Sequence, residues 1–343
     1  MPSPFPNLSP EQRGKLRCLD HSSRALRGNP WGDPTHRDLW VYTPPGYDHE
    51  PDRRYPAVLL LAPYAGTGES MLARGLTEVS IGARIDRLIV EEGCPPFLAV
   101  LPDAMSSLGG TQYVDSPGIG AYATWLMREI LPFVEGRLRT SGRWGVAGRS
   151  SGGFGALHLA MSYPGRFAAV ASHAGDMGFD LAYLAELPAA VAPLQAAGGP
   201  RAFVRDFWGR PTGGSFAALS LLCLSAAYDP VGALTLDGFP GRLPFDLRTG
   251  AVDFDTFIGW GRFDPVRRAA EGEAQAALGA LELLFLDAGD RDEHHLQLGL
   301  RRFTEALRVA GIPHVAEEFP GGHRGTSGRF DRSLPALARC LSG

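Results

Sequence analysis

The sequence predicts an α/β fold: a mostly parallel central sheet flanked by helices, with a cap-like insertion between late core strands. Three observations point there. Continuously apolar stretches alternate with segments of helical spacing, and most of the apolar stretches are closed by proline or glycine. One of them, Trp144-Gly145-Val146-Ala147-Gly148, runs straight into Arg149-Ser150-Ser151-Gly152-Gly153, a serine boxed by glycines and followed by helix-like sequence. That is the layout of a nucleophile elbow, in which a serine on a sharp strand-to-helix turn leaves no room for side chains two positions before and after it. The regular alternation also lapses between about residues 176 and 264, where alanine- and leucine-rich segments are broken by Pro, Gly and Trp. An excursion of that kind commonly roofs an active site.

Taken in order, residues 1–14 read as an irregular proline-rich arm, and residues 15–343 as a single domain carrying the insertion at about 176–264. Arg17 to Ser23 is expected to be an edge strand, and Asp38 to Thr43 a second strand, stopped by Pro44-Pro45-Gly46-Tyr47. Tyr55 to Leu61 reads as a buried central strand because Ala57-Val58-Leu59-Leu60-Leu61 is unbroken apolar sequence. It ends in Ala62-Pro63-Tyr64-Ala65-Gly66, at the strand end where open α/β sheets bind ligands. A helix follows from Ile81 to Glu92 and a strand from Phe97 to Leu101. The stretch from Ile119 to about Leu138 reads as a helix kinked or broken at Pro132. Arg143 to Ala147 is the strand before the elbow, Phe154 to Tyr163 the helix after it, and Phe167 to Ser172 a further strand. Beyond the insertion come a helix near Pro265 to Leu278, a strand from Leu281 to Leu286, a helix from about Glu293 to Ala310, a last strand from Val315 to Phe319 and a C-terminal helix after Arg329.

Composition narrows the class of partner. With 343 residues, 44% hydrophobic and 20% charged residues and a net charge of −4, the chain reads as an ordinary soluble protein with nothing to favour nucleic acid or an anionic membrane. Lys15 is the only lysine, which carries no functional reading. No segment has the roughly 18 apolar residues of a membrane span, and the start lacks a signal-peptide pattern, so a cytoplasmic protein is expected. Cys18, Cys94, Cys223 and Cys340 are far apart, with no C-x-x-C and no clustered histidines, so reduced thiols are expected and no metal site. There is no Walker A sequence, no complete G-x-G-x-x-G and no H-E-x-x-H, and no cofactor is expected.

The chemistry starts at the elbow. Gly148 and Gly152 flank Ser150 at the required distance, whereas making Ser151 the nucleophile would put Arg149 where a small residue is needed. A serine hydroxyl needs a base, and the base an orienting carboxylate, which in this architecture follow in the order serine, acid, histidine. His323, in the small-residue loop Pro320-Gly321-Gly322-His323-Arg324-Gly325 after the last strand, is the best-placed base. His294 and His295 sit at a helix start, where solvated or capping roles are expected, and His158 reads as packed inside the elbow helix. The run Asp287-Ala288-Gly289-Asp290-Arg291-Asp292-Glu293 offers four carboxylates, and spacing alone does not choose among them. Ser151 should supply one oxyanion N–H and Tyr64, or failing that Ala65, the second. Arg149 either binds an anionic substrate group or pairs with a nearby acid.

These residues resemble the esterase-D-like "putative esterase" family of α/β-hydrolases. The resemblance rests on Val41-Tyr42-Thr43-Pro44-Pro45-Gly46-Tyr47 with Arg54 to Leu61, on Gly148 to Ala156 and on Pro320 to His323, and the chain looks closest to the enterochelin-esterase-like members. It implies an α/β-hydrolase fold and a serine carboxylic ester hydrolase working through an acyl-enzyme. The family's Gly-x-x-Asp-Glu segment falls on Gly289 to Glu293 and implies Asp292 as the acid. Two departures bear on substrate: Ala62-Pro63 stands where many members have His-Gly, and Arg149 where they have His or Glu. The expected partner is a small-molecule ester; the sequence does not give the oligomeric state. An acyltransferase with the same residues and a non-catalytic binding scaffold are the competing readings.

Overall fold

The computed structural model describes residues 8–74, 79–210, 215–231 and 237–343. Ten strands occur among them: β1 (Lys15–Ser22), β2 (His36–Thr43), β3 (Tyr55–Leu61), β4 (Leu98–Pro102), the short β5 (Asp115–Ser116) and β6 (Gly120–Ala121), then β7 (Thr140–Arg149), β8 (Ala169–His173), β9 (Leu283–Gly289) and β10 (Val315–Phe319). Eight of them form one sheet in the order β1-β2-β4-β3-β7-β8-β9-β10, while β5 and β6 make a separate hairpin. From β4 to β10 every pairing is parallel, and at the other edge β2 alone is reversed, pairing antiparallel with both β1 and β4. Parallel neighbours need crossovers, and the helices that supply them cover both faces.

Side-chain parity explains the two layers. Successive residues of a strand point to opposite faces. Ala57, Leu59 and Leu61 of β3 accordingly pack with Val146, Phe154 and Leu157 on one face. Val58 and Leu60 pack on the other with Ile81, Ile85 and Leu88 of the helix Ile81–Glu92 and with Leu334, Leu337 and Leu341 of the helix Phe330–Ser342. All seven residues of β3 are buried, which is why this stretch reads as unbroken apolar sequence.

Differences from expectation have local causes. Pro132 does not break its helix: the run continues from Tyr122–Thr124 through a π-helical turn, Trp125–Ile130, into Leu131–Arg137, with Pro132 in the first turn of the last piece. A wider turn accommodates a residue with no N–H to give. The segment after Pro265 divides into Pro265–Arg268 and Gly272–Gly279. The helix expected from Glu293 starts only at Leu296, because residues 290–295 form turns that serve the site. Between β8 and β9 lie the helices Phe179–Ala182, Leu187–Ala196, Pro200–Gly209, Phe216–Tyr228 and Phe254–Gly259. The cysteines are free thiols. No helix among the described residues is long and apolar enough to cross a membrane.

His158, in the helix Ser151–Ser162, stacks on Phe154 with ring centroids 5.7 Å apart and accepts a hydrogen bond at Nδ1 from Arg268 Nη1 at 3.2 Å. Burial, then the Arg268 charge, push its pKa down from 6.5 to about 3. The folded state therefore holds this imidazole neutral. Its contribution is complete above the unfolded pKa and is lost as pH falls through 6.5 towards 3. Between pH 6.5 and 5 a His158→Gln variant should lose roughly 2 kcal/mol less stability than the parent, read from urea unfolding at both pH values. Parallel losses would contradict it.

Candidate active site

The site lies at the carboxyl ends of the parallel strands. β7 ends at Arg149, Ser150 follows with φ 56° and ψ −126°, and the helix Ser151–Ser162 begins at the next residue. A side chain at Gly148 would place its Cβ 2.2 Å from Gly152 O, and one at Gly152 would lie 2.3 Å from Leu61 O. Backbone occupies both positions, so the two glycines are steric requirements of the turn. The Ser150 N–H donates to His173 O at 2.9 Å, tying the elbow to the end of β8.

The loops after β9 and β10 bring Asp292 and His323 to this serine. His323 Nδ1 lies 2.8 Å from Asp292 Oδ2, and His323 Nε2 lies 3.1 Å from Ser150 Oγ. An ionised carboxylate only accepts, so Nδ1–H donates to Asp292 and Nε2 accepts from the serine hydroxyl. The second Asp292 oxygen accepts the His294 N–H at 2.9 Å. Burial pushes the Asp292 carboxyl up, but the His323 hydrogen bond and charge and the His294 N–H outweigh it and leave the acid below its ordinary value.

The other carboxylates of the run have separate work. Asp290 accepts the Gly321 N–H at 3.0 Å and Glu293 the His323 N–H at 2.6 Å, so both hold the backbone of the histidine loop. Each of these N–H bonds lowers the pKa of the acid that accepts it. Asp287 points away from Ser150. It is 1% exposed and takes His173 Nδ1–H at 2.9 Å and Arg329 Nε–H at 2.7 Å.

Tyr64 and Ala65 are now distinguishable. The Ala65 N–H donates to Gly109 O at 2.8 Å, whereas the Tyr64 N–H has no protein acceptor among the described residues. The N–H groups of Ser151, Gly152 and Gly153, the first turn of the elbow helix, likewise lack backbone acceptors there. Arg149 Nη1 donates to Thr326 Oγ1 at 3.2 Å, and the Thr326 hydroxyl donates to His323 O at 3.2 Å, so the guanidinium spans from the elbow to the histidine loop.

A cavity of about 430 Å³ opens over Ser150 and is lined also by Tyr64, Arg149, Ser151 and His323. Several of its residues carry no sequence signal. His294, expected to be solvated or capping, stands with its ring 4.8 Å from that of His323 and donates from Nδ1 to Glu186 Oε1 at 2.6 Å. That hydrogen bond raises the His294 pKa against the effect of burial. Gln112, Asp176 and Tyr183 also line the cavity, brought in from loops after β4 and β8 and from the helical excursion. A hint was available only for Asp176, which follows a strand end. Among the described residues no cluster of His, Cys, Asp and Glu has the form of a metal site.

With this geometry in hand, known proteins can be compared. The family described as "Putative esterase" matches residues 34–234. The esterase Rv1288 of Mycobacterium tuberculosis (strain ATCC 25618 / H37Rv) is 28% identical over 242 residues, covering 66% of this chain and 42% of that protein. The chain thus spans less than half the length of this curated relative. Among solved structures, a ferulic acid esterase superposes with a TM-score of 0.61 at 21% identity, covering 96% of this chain and 99% of its own. An S-formylglutathione hydrolase from Agrobacterium tumefaciens superposes with a TM-score of 0.58 at 18% identity, covering 98% of both chains. At these identities the structural likeness speaks for the α/β-hydrolase fold, while the match to residues 34–234, more than half of the sequence, speaks for descent. The chain belongs to the esterase family.

Proposed function

We propose that the protein is a serine carboxylic ester hydrolase acting through an acyl-enzyme, with Ser150 as nucleophile, His323 as base and Asp292 as the orienting acid. The observation that carries this reading is the continuous hydrogen-bonded chain from Ser150 Oγ to His323 Nε2 at 3.1 Å and from His323 Nδ1 to Asp292 at 2.8 Å, on a strained elbow facing a cavity. The names of the relatives agree with it.

The steps follow from the atoms. Ser150 Oγ attacks the ester carbonyl carbon as its proton passes to His323 Nε2, and the carbonyl oxygen becomes an oxyanion. The unpaired N–H groups of Ser151 and Tyr64 receive that charge from a backbone that needs no reorganisation. Asp292 holds Nδ1 protonated, so that Nε2 has its lone pair towards the serine, and offsets the charge of the imidazolium. Collapse of the intermediate breaks the bond to the alcohol oxygen, which leaves with the proton held on Nε2. Water then repeats the sequence on the acyl-serine, giving the carboxylic acid and the free enzyme. Arg149, on the cavity wall, is read as a substrate contact, and within the family we place the chain nearest the enterochelin-esterase-like members.

Ser150→Ala should abolish hydrolysis of p-nitrophenyl acetate and labelling by a fluorophosphonate while leaving the circular dichroism spectrum unchanged; undiminished turnover in that variant would remove Ser150 from the mechanism. The two buried aspartates should separate by readout. Asp292→Asn should lower kcat by about 10⁴ through the wrong imidazole tautomer. Asp287→Asn should instead lower stability by about 2 kcal/mol, since it weakens the buried hydrogen bonds from His173 and Arg329 while Arg329 keeps its pairing with Glu317. Stopped-flow hydrolysis and urea unfolding of both variants check the pair; a catalytic collapse in the second without loss of stability would exchange the roles.

A further inference from the structure

We propose that Gln112, Asp176, Tyr183 and Tyr228 form a hydroxyl-recognition site in the cavity beside Ser150, so that the substrate is a neutral ester carrying a hydroxyl group in its acyl or alcohol part. This rests on the ester-hydrolase reading of Ser150.

The four side chains form one buried cluster. Tyr183 OH donates to Asp176 Oδ2 at 2.9 Å, and Gln112 Nε2 lies 3.3 Å from the same oxygen and 3.2 Å from Tyr228 OH. Gln112 is 3% exposed, Asp176 and Tyr183 8% each and Tyr228 0%. Gln112, Asp176 and Tyr183 line the same cavity as Ser150 and His323. A cluster serving only packing would close its hydrogen bonds internally, since an unmet polar atom in the interior is costly. This one does not: among the described residues no protein group donates to Asp176 Oδ1, on a residue that lines the cavity, while Tyr183 and Gln112 take only Oδ2, and Gln112 Oε1 behind it is likewise without a partner.

The chain goes to some length to hold the cluster in place. Gln112 and Tyr113 have φ of 51° and 54°, and Ala174, two residues before Asp176, has φ 43°. Gly175 packs so closely on the elbow that a Cβ there would lie 2.2 Å from Ser172 Oγ and 3.0 Å from Gly153 C. Asp176 therefore has a fixed position relative to the nucleophile.

Its chemistry selects among ligands. A hydroxyl donates, as Asp176 Oδ1 requires, while the Tyr183 hydroxyl and the Gln112 amide give their hydrogens inside the cluster and hold Asp176 through its Oδ2. An ammonium group accepts nothing and enters past Arg149, Arg324 and His294, which also line the cavity. A carboxylate donates nothing and meets Asp176 and Glu186. Burial raises the Asp176 pKa against the opposing hydrogen bonds and the nearby His323 and His294.

Two matched pairs of esters test this: p-nitrophenyl 6-hydroxyhexanoate against p-nitrophenyl hexanoate, and 3-(4-hydroxyphenyl)propyl acetate against 3-phenylpropyl acetate. In at least one pair the hydroxylated ester should be favoured about tenfold or more in kcat/KM, the worth of one neutral hydrogen bond, chiefly through KM. Gln112→Met, Asp176→Asn and Tyr183→Phe should bring that ratio towards one; should Asp176→Asn fail to fold, the other two carry the test. Ratios near one for both pairs in the parent enzyme, with p-nitrophenyl acetate turned over, overturn the hydroxyl site and leave the esterase standing. A ratio that survives in Gln112→Met and Tyr183→Phe overturns it as well. Turnover of none of these esters, acetate included, sinks the ester-hydrolase reading and this inference with it.

Discussion

The backbone turn at Ser150 constrains everything around it. A non-glycine residue at φ 56° and ψ −126° is costly, and the turn persists because its surroundings leave no alternative. β7 ends in it, the elbow helix starts from it, the His173 carbonyl accepts its N–H, and the carbonyl of Leu61 fills the space a side chain at position 152 would need. Such a turn can be held only where parallel strands end side by side. Other strained residues gather at the same edge of the sheet: Ala65, Gln112, Tyr113, Ala174 and His295 also have positive φ, in the loops after β3, β4, β8 and β9. Strain is thus stored in the strand-end loops around the cavity, on a sheet whose strands β3, β4 and β8 are completely buried.

The acid-rich run after β9 shows how one stretch of sequence is divided among tasks by geometry. Strand pleating sends Asp287, still within β9, towards His173 of β8, its register partner. The turn that follows sends Asp290 and Glu293 to the backbone of the histidine loop and Asp292 to the imidazole. His323 is therefore placed twice, once through its ring and once through its main chain, and the ring hydrogen bond is directional because the loop beneath it is fixed. This division also delays the next helix to Leu296.

What the sequence discloses follows from the range of the physics involved. The sheet was legible because burial on both faces demands unbroken apolar strands such as Ala57 to Leu61. The elbow was legible because sterics force glycine at positions 148 and 152, and His323 because its loop needs small residues. Asp292 was not separable from Asp287 by spacing, since the choice depends on which neighbouring strand each side chain faces; the family resemblance supplied it. Gln112, Tyr183, Glu186 and the true role of His294 were hidden for a related reason. They meet at the cavity from segments far apart in the chain, and no short pattern records such a meeting. Pro132 misled because a π-helical turn can absorb a proline that local rules assign to a break.

The chain contains a second serine, histidine and aspartate in line, and the contrast shows what turns such a set into an active site. Ser333 Oγ lies 2.8 Å from His173 Nε2, and His173 Nδ1 2.9 Å from Asp287. These distances match those at Ser150, yet all three residues are buried to 1% exposure or less. Ser333 sits inside the helix Phe330–Ser342 and is completely buried. Asp287 is also shared with Arg329, so its charge is already balanced before any imidazolium could form. A proton relay without access has nothing to act upon, and here it serves to hold β8, β9 and the last helix in register. Since the His173 carbonyl also fixes the Ser150 N–H, the buried set helps to position Ser150.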